Sequence, residues 1–85
     1  MQALTVGQVC HYLCGLLDGD LLLSDLWVSG EVSNLSRSAA GHLYFTLKDA
    51  RSQLRAVMFS YAARKTAFDL KDGLQIVCRG RLNVY

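Results

Sequence analysis

The chain has 85 residues, 52% of them apolar, a formal charge of +2 and a mean hydropathy of +0.21. That length gives one small domain, burying roughly 60–65% of its unfolded surface, and the apolar content excludes a disordered chain. No run of about 18 apolar residues is present to cross a bilayer. The leucine-rich region from Leu13 to Val28 is interrupted by Asp18, Asp20 and Asp25, and no basic segment precedes it, so no secretory signal is expected. Cys10, Cys14 and Cys78 are odd in number and lack a framework spacing, which favours a reducing, cytoplasmic setting. The small net charge hides an asymmetry. Residues 1–34 carry four acids and no Lys or Arg, whereas residues 35–85 carry all nine basic residues against three acids. A basic body behind an acidic leader is a pattern that nucleic-acid binding produces.

In chain order, Thr5-Val6-Gly7-Gln8 is a capping box, and Val6, Val9, Cys10, Leu13, Leu16 and Leu17 recur at three-and-four spacing. The spacing predicts a helix over residues 5–17, closed by Asp18-Gly19-Asp20 with Gly19 as a left-handed cap. Residues 26–33 read as a strand whose mid-strand Gly30 marks a bulge or bend. Residues 34–40 form a polar connector carrying Arg37. In Gly41–Asp49, Leu43, Phe45 and Leu47 alternate with His42, Tyr44, Thr46 and Lys48, the period-2 signature of a half-buried strand. One face of it is hydrocarbon, and the other carries groups that stack on bases or contact phosphates. Residues 53–59 form a third strand whose alternation blurs after Ala56, leaving the direction of Val57 and Phe59 open. Ser60 is placed to cap a short helix over residues 61–68. A turn at residues 70–73 leads into a long strand over residues 74–85, again with a mid-strand glycine, Gly80.

Three strands in a meander, a helix and a fourth strand, with glycines inside the first and fourth, give the order of an OB-fold without its fifth strand. The expected architecture is therefore mainly β with an N-terminal helix: a helical extension over residues 1–24 and an OB-type five-stranded Greek-key barrel over residues 25–85, truncated before its last strand. Residues 4–6, Trp27–Asn34, Gly41–Asp49, Val57-Met58-Phe59, Leu70–Gly73 and Arg79-Gly80-Arg81 together resemble the N-terminal domain of the exodeoxyribonuclease VII large subunit. The likeness runs from Leu4 to Tyr85. The run Gly-His-Leu-Tyr-Phe-Thr-Leu-Lys-Asp after Glu-Val-Ser-Asn is its most specific part. The resemblance implies an OB-type module that grips single-stranded DNA and feeds a nuclease domain elsewhere on the same polypeptide. It implies a parent hydrolase that degrades single-stranded DNA from both ends to short pieces, working with copies of a small helical subunit. Cys10 and His11 depart from the family, which usually shows polar or basic residues there, so helix contacts at those positions do not carry over.

The nucleic-acid-binding residues expected are Arg37, His42, Tyr44, Thr46, Lys48, Arg55, Arg79 and Arg81. Tyr44 would stack a base while His42 and Lys48 meet the backbone, and Arg55 on the next strand would extend the same face. The competing reading is an ordinary solvated strand face with one aromatic cross-strand partner. Arg37 lies in a loop that OB-folds use as a clamp, or is simply solvated. Arg79 and Arg81 share a strand face suited to phosphate or to a domain contact. Arg64 and Lys65 read as the solvent side of the short helix. Trp27 is expected to pack under the N-terminal helix rather than to stack a base. Cys10, His11 and Cys14 lack a second ligand pair, and Cys10 and Cys14 read as core cysteines rather than as part of a metal site. No phosphate loop, nucleophile elbow or paired carboxylates are present, so neither a catalytic group nor a cofactor is expected within these residues. The rival functions are an interaction module docking other subunits or domains, and a tRNA anticodon-binding OB domain. Without a fifth strand, the third and fourth strands would present open edges, and a homodimer or strand-exchanged assembly is expected.

Overall fold

The computed structural model describes residues 1–84. Its elements are α1 (Val6–Asp18), β1 (Leu26–Arg37), β2 (Leu43–Lys48), β3 (Gln53–Met58), α2 (Ser60–Ala63) and β4 (Gln75–Gly80), in the expected order of helix, three strands, helix and strand. The strands form one four-stranded sheet in the order β3-β2-β1-β4, with β1 antiparallel to β2 and β2 antiparallel to β3. Two compact units divide the chain. One comprises Ser29–Val77, and the other Met1–Val28 together with the residues from Cys78 onward.

In the Ser29–Val77 unit, the alternation read in β2 is realised. Leu43, Phe45 and Leu47 are buried, while Tyr44, Thr46 and Lys48 are exposed or half-buried. Val32 lies opposite Leu47, and together with Ile76 these residues make the buried core. Gly30 is also buried, and its role differs from the expected bulge. A Cβ there would stand 2.8 Å from Leu47 Cγ and 3.0 Å from the Lys48 carbonyl oxygen, so glycine is needed for close approach of the two strands.

The bulge in β1 falls four residues later. Ser33 pairs with Thr46 and Ser36 with Tyr44, so Asn34 and Leu35 together oppose Phe45. Asn34 takes φ 52°, the left-handed conformation that Asn tolerates better than most side chains. The Leu35 N–H donates to Asp72 Oδ1 at 2.9 Å. A backbone donor displaced from the regular ladder thus finds a carboxylate. The bulge lets β1 run on to Arg37 through what reads in sequence as a connector. It also exchanges the faces of the residues that follow.

Three further expectations are corrected. The helix after β3 is a single turn, Ser60–Ala63, rather than one over residues 61–68. Ser60 does not cap it with its side chain; Phe59 is the capping position, and the Ser60 N–H donates to His42 Nδ1 at 2.9 Å. β4 ends at Gly80, which therefore terminates the strand rather than bending its middle, and Tyr85, the last residue of the predicted strand, lies outside the described residues.

In the other unit, α1 starts as its capping box predicts. Thr5 Oγ1 accepts from the Gln8 N–H at 3.1 Å, and Gln8 Oε1 accepts from the Thr5 N–H at 2.8 Å. The far end differs. Gly19 is right-handed (φ −81°) and its N–H bonds to Gly15 O, so no left-handed cap forms. Asp20 closes the turn instead, its Oδ1 accepting from the Leu22 and Leu23 N–H groups at 2.9 and 3.0 Å. Cys10, Cys14 and Leu17 are the half-buried residues of α1, and no residue of the helix is fully buried. The Cys14 thiol donates to Asn83 Oδ1 at 3.5 Å, and the Leu82 N–H to Leu23 O at 2.9 Å. Trp27 is 68% exposed, contrary to the packing expected of it. Its partner is a cation, the Arg79 guanidinium, 5.9 Å from the ring centroid. Among the described residues, no helix is long and apolar enough to cross a membrane.

Candidate nucleic-acid interface

Directly opposed residues of antiparallel strands share a face, so the register defines the surface opposite the core row by row. One row is Glu31, Lys48 and Gln53; the next is Ser33, Thr46 and Arg55; the third is Ser36, Tyr44 and Val57. Val57, left open by its sequence, thus lies on the polar face beside Tyr44. A stripe of serine and threonine hydroxyls therefore runs across β1 and β2, bounded by the cations of Lys48 and Arg55 and by the Tyr44 ring. Hydroxyls and cations reach phosphate oxygens, and the exposed phenol offers a π-face to a base.

The face is not uniformly basic. Lys48 Nζ lies 3.5 Å from Glu31 Oε2, both side chains being close to half exposed. An ion pair of this kind contributes about 0.2–1 kcal/mol, weak enough for a phosphate to compete for the ammonium. Beyond Lys48, the face passes into a depression of about 480 Å³ lined by Ser29, Glu31, Lys48, Asp49, Ala50 and Gln75. The Arg51 and Ser52 N–H groups, each donating to Asp49 Oδ1 at 2.8 Å, hold the Asp49 carboxyl below its ordinary pKa. It stays ionised at neutral pH and shapes the β2–β3 turn. Two carboxylates make that end of the face the one least suited to phosphate.

At the other end, just past the Leu43–Met58 pair that closes the β2–β3 ladder, aromatic rings gather. The His42 and Phe59 rings meet edge to face at 5.4 Å and 84°, and the Phe59 and Tyr61 rings are within 8° of parallel at 6.4 Å. With Nδ1 engaged by the Ser60 N–H, a neutral His42 ring carries its proton on Nε2. His42 is thus at once a member of the polar face and a strut for the chain that follows β3. Phe59 and Tyr61 are 41% and 63% exposed. Neither was among the expected site residues. The available signal was the period-2 spacing of Val57, Phe59 and Tyr61 in the sequence.

Of the eight expected residues, the structure brings His42, Tyr44, Thr46, Lys48 and Arg55 onto one face. Arg37 is exposed, but it ends β1 rather than lying in a connecting loop, and the bulge pairs it with Leu43, on the face away from Tyr44. Arg79 and Arg81 belong to the other compact unit. Arg79 Nε and Nη2 donate to the two Asp25 carboxylate oxygens at 2.8 and 2.7 Å. That hydrogen-bonded pairing lowers the Asp25 pKa and raises that of Arg79. Its guanidinium is therefore shared between a carboxylate and the Trp27 ring, whereas Arg81 is exposed just past the end of β4.

An antiparallel meander followed by a helical turn and a fourth strand, with polar and aromatic groups on its outer face, defines a small nucleic-acid-binding β module. The chain belongs to the family of OB-fold nucleic acid binding domains, whose model matches residues 4–85. It is similar throughout to proteins named exodeoxyribonuclease 7 large subunit. The protein of that name from Clostridium beijerinckii is 41% identical over 85 residues, all of this chain and 21% of the relative. The one from Geobacter metallireducens is 49% identical over 82 residues, 96% of this chain and 18% of the relative. The one from Geobacter sulfurreducens is 46% identical over 82 residues, with the same coverage. The chain thus spans about a fifth of the length of these curated relatives.

Proposed function

We propose that this chain is the single-stranded-DNA-binding OB module of an exodeoxyribonuclease VII large subunit. It captures the strand and presents it to a nuclease domain that degrades single-stranded DNA from both ends in DNA catabolism and repair. The observation that carries this reading is the uninterrupted file of Ser33, Thr46 and Arg55 beside Ser36, Tyr44 and Val57, on the face opposite the core. Binding by backbone capture and stacking reads little sequence and weakens steeply with salt. The reaction belongs to the longer polypeptide, and this segment contributes substrate binding without a cofactor. The partners that go with the reading are single-stranded DNA and the small subunit of the exodeoxyribonuclease VII complex, and the setting is the cytoplasm.

A fluorescence-anisotropy titration of labelled oligo-dT at two salt concentrations tests it. Saturable binding that falls with salt is expected, with duplex of the same length binding more weakly. No binding, or equal affinity for duplex, overturns the reading in favour of an interaction module; preference for a tRNA anticodon stem-loop would favour the tRNA anticodon-binding alternative. In the same titration Glu31→Gln should tighten binding and Lys48→Ala should weaken it and flatten the salt dependence, because Glu31 competes with phosphate for the Lys48 ammonium.

The sheet order also supports a self-association reading. Among the described residues β3 and β4 are the outer strands, and open strand edges pair readily with another chain. We expect the 85-residue chain to sediment as a dimer or strand-exchanged assembly at micromolar concentration. A purely monomeric profile would count against this.

A further inference from the structure

We propose that Phe59 and Tyr61, braced by His42, form a second base-stacking site at the corner where β3 enters α2, continuous with the Tyr44 row. The inference rests on the single-strand-binding reading and extends it to residues outside the strand face. Three observations converge on it. First, the site is built rather than incidental. The Phe59 ring is held edge-on by His42 at 5.4 Å, and the His42 Nδ1 bond to the Ser60 N–H fixes the backbone between the two aromatic residues. Second, the rings are presented. Phe59 and Tyr61 are 41% and 63% exposed, and their rings are stacked with planes within 8° of parallel, so aromatic surface remains open at the corner. Large apolar rings held open in this way leave surface that a solitary domain would otherwise bury.

Third, the surroundings select the ligand. Arg64, the C-cap of α2, and Lys65, in the turn that follows, come three and four residues after Tyr61, and both are exposed. A strand running along the β2–β3 ladder from Arg55 past Tyr44 therefore meets rings for its bases with cations beside them for its phosphates. Aromatic faces interleaved with Lys and Arg are the chemistry of single-stranded nucleic acid, sequence-tolerant because every base has a π-face. A protein partner seated on an apolar corner would not call for this alternation.

The test uses the 85-residue chain and two labelled probes of equal length, oligo-dT and an abasic oligodeoxynucleotide with the same phosphates. Tyr61→Ala should weaken oligo-dT binding about fivefold or more, Tyr61→Phe should leave it unchanged, and neither should alter binding of the abasic probe. Phe59→Leu should behave as Tyr61→Ala does, with its thermal unfolding checked because Phe59 packs on His42. If the unsubstituted chain binds oligo-dT and Tyr61→Ala binds it equally well, the second site is overturned while the single-strand reading stands. If Tyr61→Ala weakens the abasic probe as much as oligo-dT, the ring does not stack and the inference fails. If the unsubstituted chain does not bind oligo-dT, both fall together.

Discussion

Replacing Gly30 by alanine is expected to destabilise the chain by about 1–3 kcal/mol, the usual effect of forcing an extra carbon into a packed core. A new Cβ would stand 2.8 Å from Leu47 Cγ and 3.0 Å from the Lys48 carbonyl oxygen. The side chain has no free space to retreat into, since Leu47 is 5% exposed, and the carbonyl is part of the β2 backbone. At about 4–8 °C per kcal/mol for a domain of this size, thermal denaturation resolves the change readily. The Gly30→Ala/Leu47→Ala double variant supplies the control. Leu47→Ala alone removes a buried side chain at about 2–5 kcal/mol, and it also removes the atom that the new methyl would strike. The double variant should therefore lose less than the two single losses together. Strict additivity would place the strain on the Lys48 carbonyl rather than on the Leu47 side chain.

The second large effect concerns binding. Tyr44→Ala should weaken capture of oligo-dT by about 1–3 kcal/mol, roughly 5- to 150-fold, while Tyr44→Phe should retain most of the affinity. Tyr44 is 38% exposed, and its directly opposed neighbours are Ser36 and Val57, so its truncation leaves the buried face untouched. The loss should persist at high salt, because stacking is not screened, whereas the effect of Lys48→Ala should fade there. An affinity unchanged in Tyr44→Ala would remove the β2 face from the site. Equal fading of both effects with salt would assign Tyr44 a purely structural part in positioning cations.

How far these features were legible depended on the range of the interactions behind them. The α1 start was legible because Thr5 and Gln8 satisfy each other three residues apart. The two faces of β2 were legible because the pleat writes burial directly into alternation. What lay beyond local sequence was whatever depended on a distant partner. Arg79 meets Asp25 across 54 positions, and that pairing, with the ring of Trp27, changes what Arg79 offers to a phosphate. Trp27 departs from its expected packing for the same reason, since its partner is a guanidinium rather than a helix face. The entrance of the short helix is likewise held by His42, 18 residues upstream, and not by the local serine. In β1 the glycine drew attention as the irregular position, yet it answers to the volume of Leu47, and the true irregularity is carried by an asparagine able to adopt φ 52°.

That asparagine has a mechanical consequence. A ladder of uniform pitch can slide by two residues and still keep every apolar group on the inner side. The β1–β2 ladder cannot, because its extra residue is a notch at a fixed point. Sliding would set the kink of Asn34 and Leu35 against a straight part of β2 and draw the Leu35 N–H away from Asp72. The notch keys the two strands together like a toothed rack with one odd tooth. A pull along β2 by a strand of nucleic acid would therefore be resisted by the whole interlocked pair rather than by its hydrogen bonds one at a time.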